Sequence, residues 1–270
     1  MASTSPLQGD RGVRIPLVST FKNNVMIVAF DTYYYNGFSY TVGGVFKHWG
    51  DKEVSYFVTS IRPFIDAEYK PGELYKRELP CIMQCLANLN IDTIETIIVD
   101  GFVWLSEDGK TLTKGLGAHV QEAILNKYNT KKTIVGIAKN RYHVEIPECV
   151  EVERGLTSAK PLFVTCSETC FTEHYAAYVK IMHGDYRMPS IIKAVDSKTR
   201  EIGDEHEKEI EREIAESEKE LAHDYNARPL DFNLTDLDKW ADENLAPIQC
   251  DAEALDRWIA ETEKNGFRYR

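Results

Sequence analysis

The chain has no apolar run approaching the roughly 20 residues that a membrane-spanning helix needs. It also has no C-x-x-C pair and no overall excess of positive charge. The first absence excludes a helical membrane protein. The N-terminal "MASTSPLQGDRGVRIPLVS" lacks the charged-then-apolar order of a signal peptide, so the expected setting is cytoplasmic, with the nucleus as the alternative. The six cysteines, at 81, 85, 149, 166, 170 and 250, are too few and too scattered for a disulfide scaffold and read as free thiols. Cys166, Cys170 and His174 are spaced four apart, but the stretch crosses from a strand pattern into a helix pattern, so no one helical face could present all three to zinc.

What is present is a chain of 270 residues, 43% hydrophobic, which is enough for a full core. Its acidity is unevenly placed. Lys and Arg number 32 against 43 Asp and Glu; residues 201–270 hold 9 of the bases and 21 of the acids, a balance of −12, which leaves 23 against 22, or +1, for residues 1–200. A near-neutral main domain can carry a basic groove, so a polyanionic partner stays open despite the net −11. The domain reading is 1–203 for the main body and 204–270 for an acidic helical C-terminal extension.

Three short β-branched and aromatic segments, 25–33, 40–49 and 53–61, are separated by turn-sized connections with Asn-Gly at 36–37 and Gly-Asp at 50–51, as in an antiparallel meander. The pattern then alternates: helix 80–89, strand 93–101, helix 118–128, strand 132–139, strand 161–167, helix 172–182. The first of these helices is predicted to begin near Pro80, where a missing N–H costs nothing, which places Glu78 at its entrance. Strands followed by alternating helices and strands predict an α/β fold with a mixed sheet of the ribonuclease H-like kind, its first and fourth strands side by side and parallel.

That adjacency gives the acids their meaning. Asp31 follows the apolar run "VMIVAF" and Asp100 closes "TIIV", so both carboxylates are predicted at the C-terminal ends of central strands, where open α/β sheets bind ligands. Two carboxylates held together repel unless a cation or proton joins them. With Glu78 directed to the same point, the pattern suits a divalent metal and phosphodiester hydrolysis.

At these residues the sequence resembles the endonuclease V family, nucleases that recognise inosine in DNA or RNA. The segment "EYKPGELYKRELP" matches a family motif in register at Tyr69, Pro71, Gly72, Leu74, Arg77, Glu78 and Pro80. "VAFDTYYY", "IIVDG", "IVGIAKNR", "KPLFVTCS" and "YRMPSIIKAVDSKTRE" follow in family order, so the resemblance runs with gaps from about residue 25 to 200. It implies metal ligation by Asp31 and Asp100, with Mg2+ as the ion and Mn2+ able to substitute. It also implies a water-orienting carboxylate at Glu78 and a phosphate-contacting Lys139. A base-flipping wedge at Tyr69 is implied on a loop shaped by Pro71 and Gly72, with Gly101 and Gly136 beside the substrate. The products implied are 3′-hydroxyl and 5′-phosphate ends.

The sequence departs from the family in three places. The family's histidine after V-D-G is missing and the 102–115 stretch is longer; a second histidine position is filled by Ser167-Glu168; residues beyond 203 have no counterpart. Glu168 is the tentative replacement for the lost histidine as a further metal-facing acid. Two alternatives stand beside an inosine nuclease. One is a structure-selective nuclease without inosine preference; the other is an idle nucleic-acid or protein-binding module on the same fold. Residues 204–270, with Trp240 and Trp258 on amphipathic stretches, are a candidate surface for a protein partner.

Overall fold

The computed structural model describes residues 25–63, 73–155 and 160–227. Strands β1 (Met26–Tyr35), β2 (Phe38–Phe46) and β3 (Tyr56–Pro63) form the expected meander. Asn36 and Gly37, at φ 46° and 76°, make the two-residue turn between the first two, a conformation whose twist matches that of the strands it joins. Helix α1 (Leu74–Ala87) leads to β4 (Ile94–Asp100). Next come a small hairpin, β5 (Trp104–Ser106) with β6 (Leu112–Lys114), and helix α2 (Leu116–Tyr128). The remaining elements are β7 (Thr133–Ala138), β8 (Val150–Val152), β9 (Leu162–Cys166), α3 (Thr172–Ile181) and α4 (Ser190–Ala227).

The main sheet has the order β3-β2-β1-β4-β7-β9-β8. β1, β4 and β7 run parallel at its centre and every other pairing is antiparallel. This is the ribonuclease H-like mixed sheet. β4 reads Ile-Glu-Thr-Ile-Ile-Val-Asp and is buried at all but Glu95 and its final residue, because helices cover both faces. On one face Val28, Phe30, Ile97 and Val99 pack with Ile82 and Leu86 of α1 and Ile124 of α2. On the other, Ile27, Ala29, Ile98 and Val135 pack with Val179 of α3 and with Ile191 and Val195 of α4. Among the described residues no helix is long and apolar enough to cross a membrane, and Cys81, Cys85, Cys149, Cys166 and Cys170 are free thiols.

Two elements depart from the sequence reading. Helix α1 begins at Leu74, so Pro80 lies inside it and Glu78 lies in its second turn rather than at its entrance. Proline there removes a hydrogen bond and crowds the preceding turn, at a cost of about 3 kcal/mol. Burial of Cys81, Ile82, Cys85 and Leu86 on the face that follows offsets that cost. Helix α4 starts well before the acidic stretch and passes through Gly203 without a break, 38 residues in all. The chain divides into compact units between Lys208 and Glu209.

Candidate active site

The register of β1 against β4 ends with Phe30 opposite Val99. Asp31 and Asp100 therefore leave neighbouring parallel strands side by side, at the C-terminal edge of the sheet. Burial, and after it the negative charge of Asp100 and a hydrogen bond with it, push the Asp31 carboxyl up to about 7. The charge of Asp100 so close by disfavours a second negative charge on Asp31. Glu78 reaches the same point from α1. It is 9% exposed, and burial followed by the charges of Asp100 and Asp31 hold its carboxyl well above the ordinary range.

Lys139, one residue beyond β7, donates to Asp100 Oδ2 at 2.7 Å. Burial works against its ammonium, but Asp100, Asp31 and Asp196 outweigh that and raise it. Its backbone is also fixed, because Arg187 donates to the Lys139 carbonyl and to that of Pro161. Asp31, Asp100 and Lys139 thus meet as the sequence leads one to expect, with Glu78 beside them.

A fourth acid joins them that the sequence reading did not assign. Asp196 of α4 lines the same cleft of about 280 Å³ as Asp31, Asp100 and Lys139, and its charge contributes to raising Asp31. The signal for it was present. Ile191, Ile192 and Val195 are an apolar stripe at helical spacing, and an aspartate immediately after such a stripe sits where buried face meets solvent.

Glu168 is elsewhere. β9 runs antiparallel to β7, with Cys166 opposite Val135, so the residues that follow it emerge at the opposite edge of the sheet from Lys139. There Glu168 lies 2.7 Å from Lys131 Nζ and accepts a 2.6 Å hydrogen bond from Ser167 Oγ. Burial opposes its charge, but Lys131 and Ser167 prevail and lower its carboxyl below the usual range. It is a structural carboxylate closing the far end of β7 and β9.

The two glycines have structural duties. Gly101, at φ +140°, allows the turn after Asp100, and its N–H donates to the Ile137 carbonyl. Gly136 is buried beneath that turn rather than lining the cleft: a Cβ there would lie 2.5 Å from Gly101 O and 2.8 Å from Thr165 Oγ1. Thr165 Oγ1 in turn accepts from the Val103 N–H at 2.9 Å. Gly136→Ala must push the 101–103 turn off β7, and is expected to cost about 1–3 kcal/mol, seen as a fall of several degrees in the unfolding midpoint. An unchanged midpoint would mean that the turn yields freely. Tyr69, Pro71 and Gly72 lie outside the described residues.

No family model matches the sequence, and no curated protein matches it. Solved structures do. The chain superposes on endonuclease V of Ciona intestinalis, solved with a 24mer DNA containing an inosine followed by a ribo-adenosine, with a TM-score of 0.52. That alignment has 17% identity and covers 69% of this chain and 89% of that one. The fold is that of endonuclease V. Human endonuclease V aligns with a TM-score of 0.50 and 17% identity, covering 67% of this chain and 85% of the human one.

Within this endonuclease V fold the 102–115 stretch, longer than the family pattern, is no open loop. It forms the β5–β6 hairpin, pinned by the Trp104 indole N–H donating to the Cys166 carbonyl at 2.9 Å. Asp108 closes the hairpin tip by accepting from the Lys110 and Thr111 backbone N–H groups.

Can these residues hold a divalent cation? Among the described residues no three His, Cys, Asp or Glu side chains are arranged to hold one as they stand, and the Lys139 ammonium is paired with Asp100. The donor chemistry nevertheless fits. Asp31, Asp100, Glu78 and Asp196 offer hard oxygens only, the set suited to Mg2+ or Mn2+ and poorly suited to zinc. Asp100 is already held so close that its charge raises the Asp31 carboxyl.

Proposed function

We propose that this protein is a metal-dependent endonuclease that hydrolyses a phosphodiester bond beside inosine in DNA or RNA, leaving 3′-hydroxyl and 5′-phosphate ends. The observation that carries this reading is the convergence of four carboxylates and one lysine at the C-terminal edge of parallel β1 and β4. Asp31, Asp100 and Asp196 would hold Mg2+, with Mn2+ able to replace it. A cation so bound supplies Lewis acidity towards a phosphate oxygen and makes water acidic enough to attack at neutral pH. Glu78, buried and raised, suits the orientation of that water and acceptance of its proton. Lys139, paired with Asp100 here, would place its ammonium to contact a phosphate oxygen of the substrate.

Support for a flipped base comes from a cleft of about 370 Å³ lined by Phe102, two residues after Asp100, and by Arg141 and Tyr142, which follow Lys139. Phe102 and Tyr142 stand edge to face at 6.0 Å on its wall, where Arg141 is paired with Glu151 and Glu145 adds an acceptor. A second reading, a structure-selective nuclease without inosine preference, is favoured by the hairpin built where the family pattern has a shorter stretch with a histidine.

Both readings are tested by incubating the full chain with labelled strands, each with inosine or adenosine at one position, single- and double-stranded, DNA and RNA. Each is run with Mg2+, Mn2+ or chelator. Cleavage requiring the cation and inosine is the expected result. Cleavage indifferent to inosine selects the second reading, and no cleavage under any condition overturns both.

A further inference from the structure

β1 is longer than its neighbour β4. The last residues paired between them are Phe30 and Val99, whereas β1 stays paired with β2 as far as Tyr35 opposite Phe38. Among the described residues, then, 31–35 have no strand beside them on the β4 side, and this part of the β1–β2 hairpin stands up as one wall over the carboxylates. Side chains alternate along a strand, so Asp31, Tyr33 and Tyr35 share a face. At about 3.4 Å per residue Tyr33 lies roughly 7 Å and Tyr35 roughly 14 Å beyond Asp31.

The two tyrosine rings are nearly parallel, 13° apart with centroids 5.9 Å from each other. The Arg200 guanidinium lies 4.9 Å from the Tyr33 centroid. Arg200 is one helical turn after Asp196, with a side chain 58% exposed, and only a loose 3.5 Å contact links it to that carboxylate. Behind the rings the wall is firm. Gly203 of α4 lies beside the Tyr33 and Tyr40 rings, and the Tyr40 hydroxyl hydrogen-bonds His206 Nδ1 at 3.0 Å. Glu207 accepts from Asn36 Nδ2 at 2.6 Å, and its charge beside Tyr35 raises that phenol. Tyr35 itself remains 37% exposed.

A hydrophobic explanation covers Tyr40 and the inner part of Tyr33, which pack under α4. It does not cover Tyr35, a partly exposed ring near the end of the hairpin, stacked on Tyr33, whose ring in turn carries the Arg200 guanidinium. We propose that Tyr35, backed by Tyr33 and the Arg200 that lies over Tyr33, is a stacking subsite for an unpaired base of a nucleic-acid strand, a few nucleotides from the phosphate that is cut. The inference rests on the nuclease reading given above and adds to it a second grip on the strand. The subsite tolerates any base, since every base has a π-face, and Arg200 contributes a phosphate contact. A duplex continuing past the cut cannot use it without opening, so the subsite favours substrates single-stranded on that side.

The test measures binding of a fluorescent single-stranded 20-mer to the full chain by anisotropy, in chelator to prevent cleavage. Tyr35→Ala is expected to weaken binding about fivefold or more, while Tyr35→Phe, which keeps the ring and loses only the hydroxyl, stays near the wild type. A series of 20-mers with one abasic position each, moved along a strand anchored by a single inosine, should reveal one position at which the wild type loses affinity and Tyr35→Ala loses nothing further. Arg200→Gln should reduce the slope of log affinity against log salt by about 0.7. Tyr35→Ala binding within twofold of the wild type, or the same abasic penalties in both proteins, would overturn the subsite and leave the nuclease reading intact. A wild type that binds none of these strands would overturn the nuclease reading with it.

Discussion

Replacing Asp31 with Asn should sharply reduce hydrolysis and, in the same protein, raise the unfolding midpoint measured in chelator at pH 8. The two effects have one cause. Asp31 is held beside Asp100 in a half-buried position, with its carboxyl pushed up to about 7 by partial burial and by that neighbour. At pH 8 without a cation the fold must carry two adjacent charges, and the neutral amide relieves this at nearly constant volume. A gain of about 2 kcal/mol, or roughly 4–8 °C, is expected, set against a loss of activity on the order of a hundred- to a thousandfold.

The pH dependence has a fixed sign. The folded Asp31 binds its proton more tightly than the unfolded chain does, so its stabilisation is complete below the ordinary value of 3.8 and is lost as pH rises through about 7. The chelated wild type should accordingly be less stable at pH 8 than at pH 5.5 by more than the Asn variant is. Differential scanning calorimetry at the two pH values, with and without Mg2+, measures both. An Asn variant that is less stable than the wild type in chelator at pH 8 would contradict the crowded-carboxylate reading, and one that cuts at the parental rate would remove Asp31 from the site.

The second large effect separates two acids that sequence alone does not rank. Asp196→Asn is expected to lower the rate about a hundredfold and to weaken cation binding, because Asp196 shares the cleft with Asp31 and Asp100. Glu168→Gln should leave the rate within about twofold. Its cost falls on stability instead, since the amide weakens the contacts with Lys131 and Ser167, about 1 kcal/mol for a half-exposed cluster. Single-turnover cleavage and titration of Mn2+ into both variants decide the matter. If Glu168→Gln proved the more damaging to cation affinity, the assignment of the fourth acid would be reversed.

The contrast between these acids marks how far the sequence could be read. The meander and the β1–β4 neighbourhood were legible because apolar alternation, Asn-Gly and the order of the elements all agree, and those features alone place Asp31 beside Asp100. The direction of β9 was not legible. A buried strand such as Leu162–Cys166 has the same composition whichever way it points, and its direction decides which edge of the sheet Glu168 occupies. Pro80 misled for a related reason: local preference favours proline in a first turn, whereas tertiary burial of Ile82, Cys85 and Leu86 set the start of α1 six residues earlier. β5, β6 and β8 are three residues each, too short for any period to register.

The carboxylate cluster draws Asp31 from β1, Glu78 from α1, Asp100 from β4 and Asp196 from α4, so its last member is also the last to be synthesised. At about 5–20 residues per second, the stretch from Asp100 to Asp196 takes roughly 5–20 s to leave the ribosome. During that interval the meander can pair locally, but the cluster lacks one of its four acids and the helix that closes one face of the sheet behind it. A growing chain therefore passes through most of its synthesis without a complete cleft, and the proposed activity is withheld from the messenger RNA on which the chain is being made.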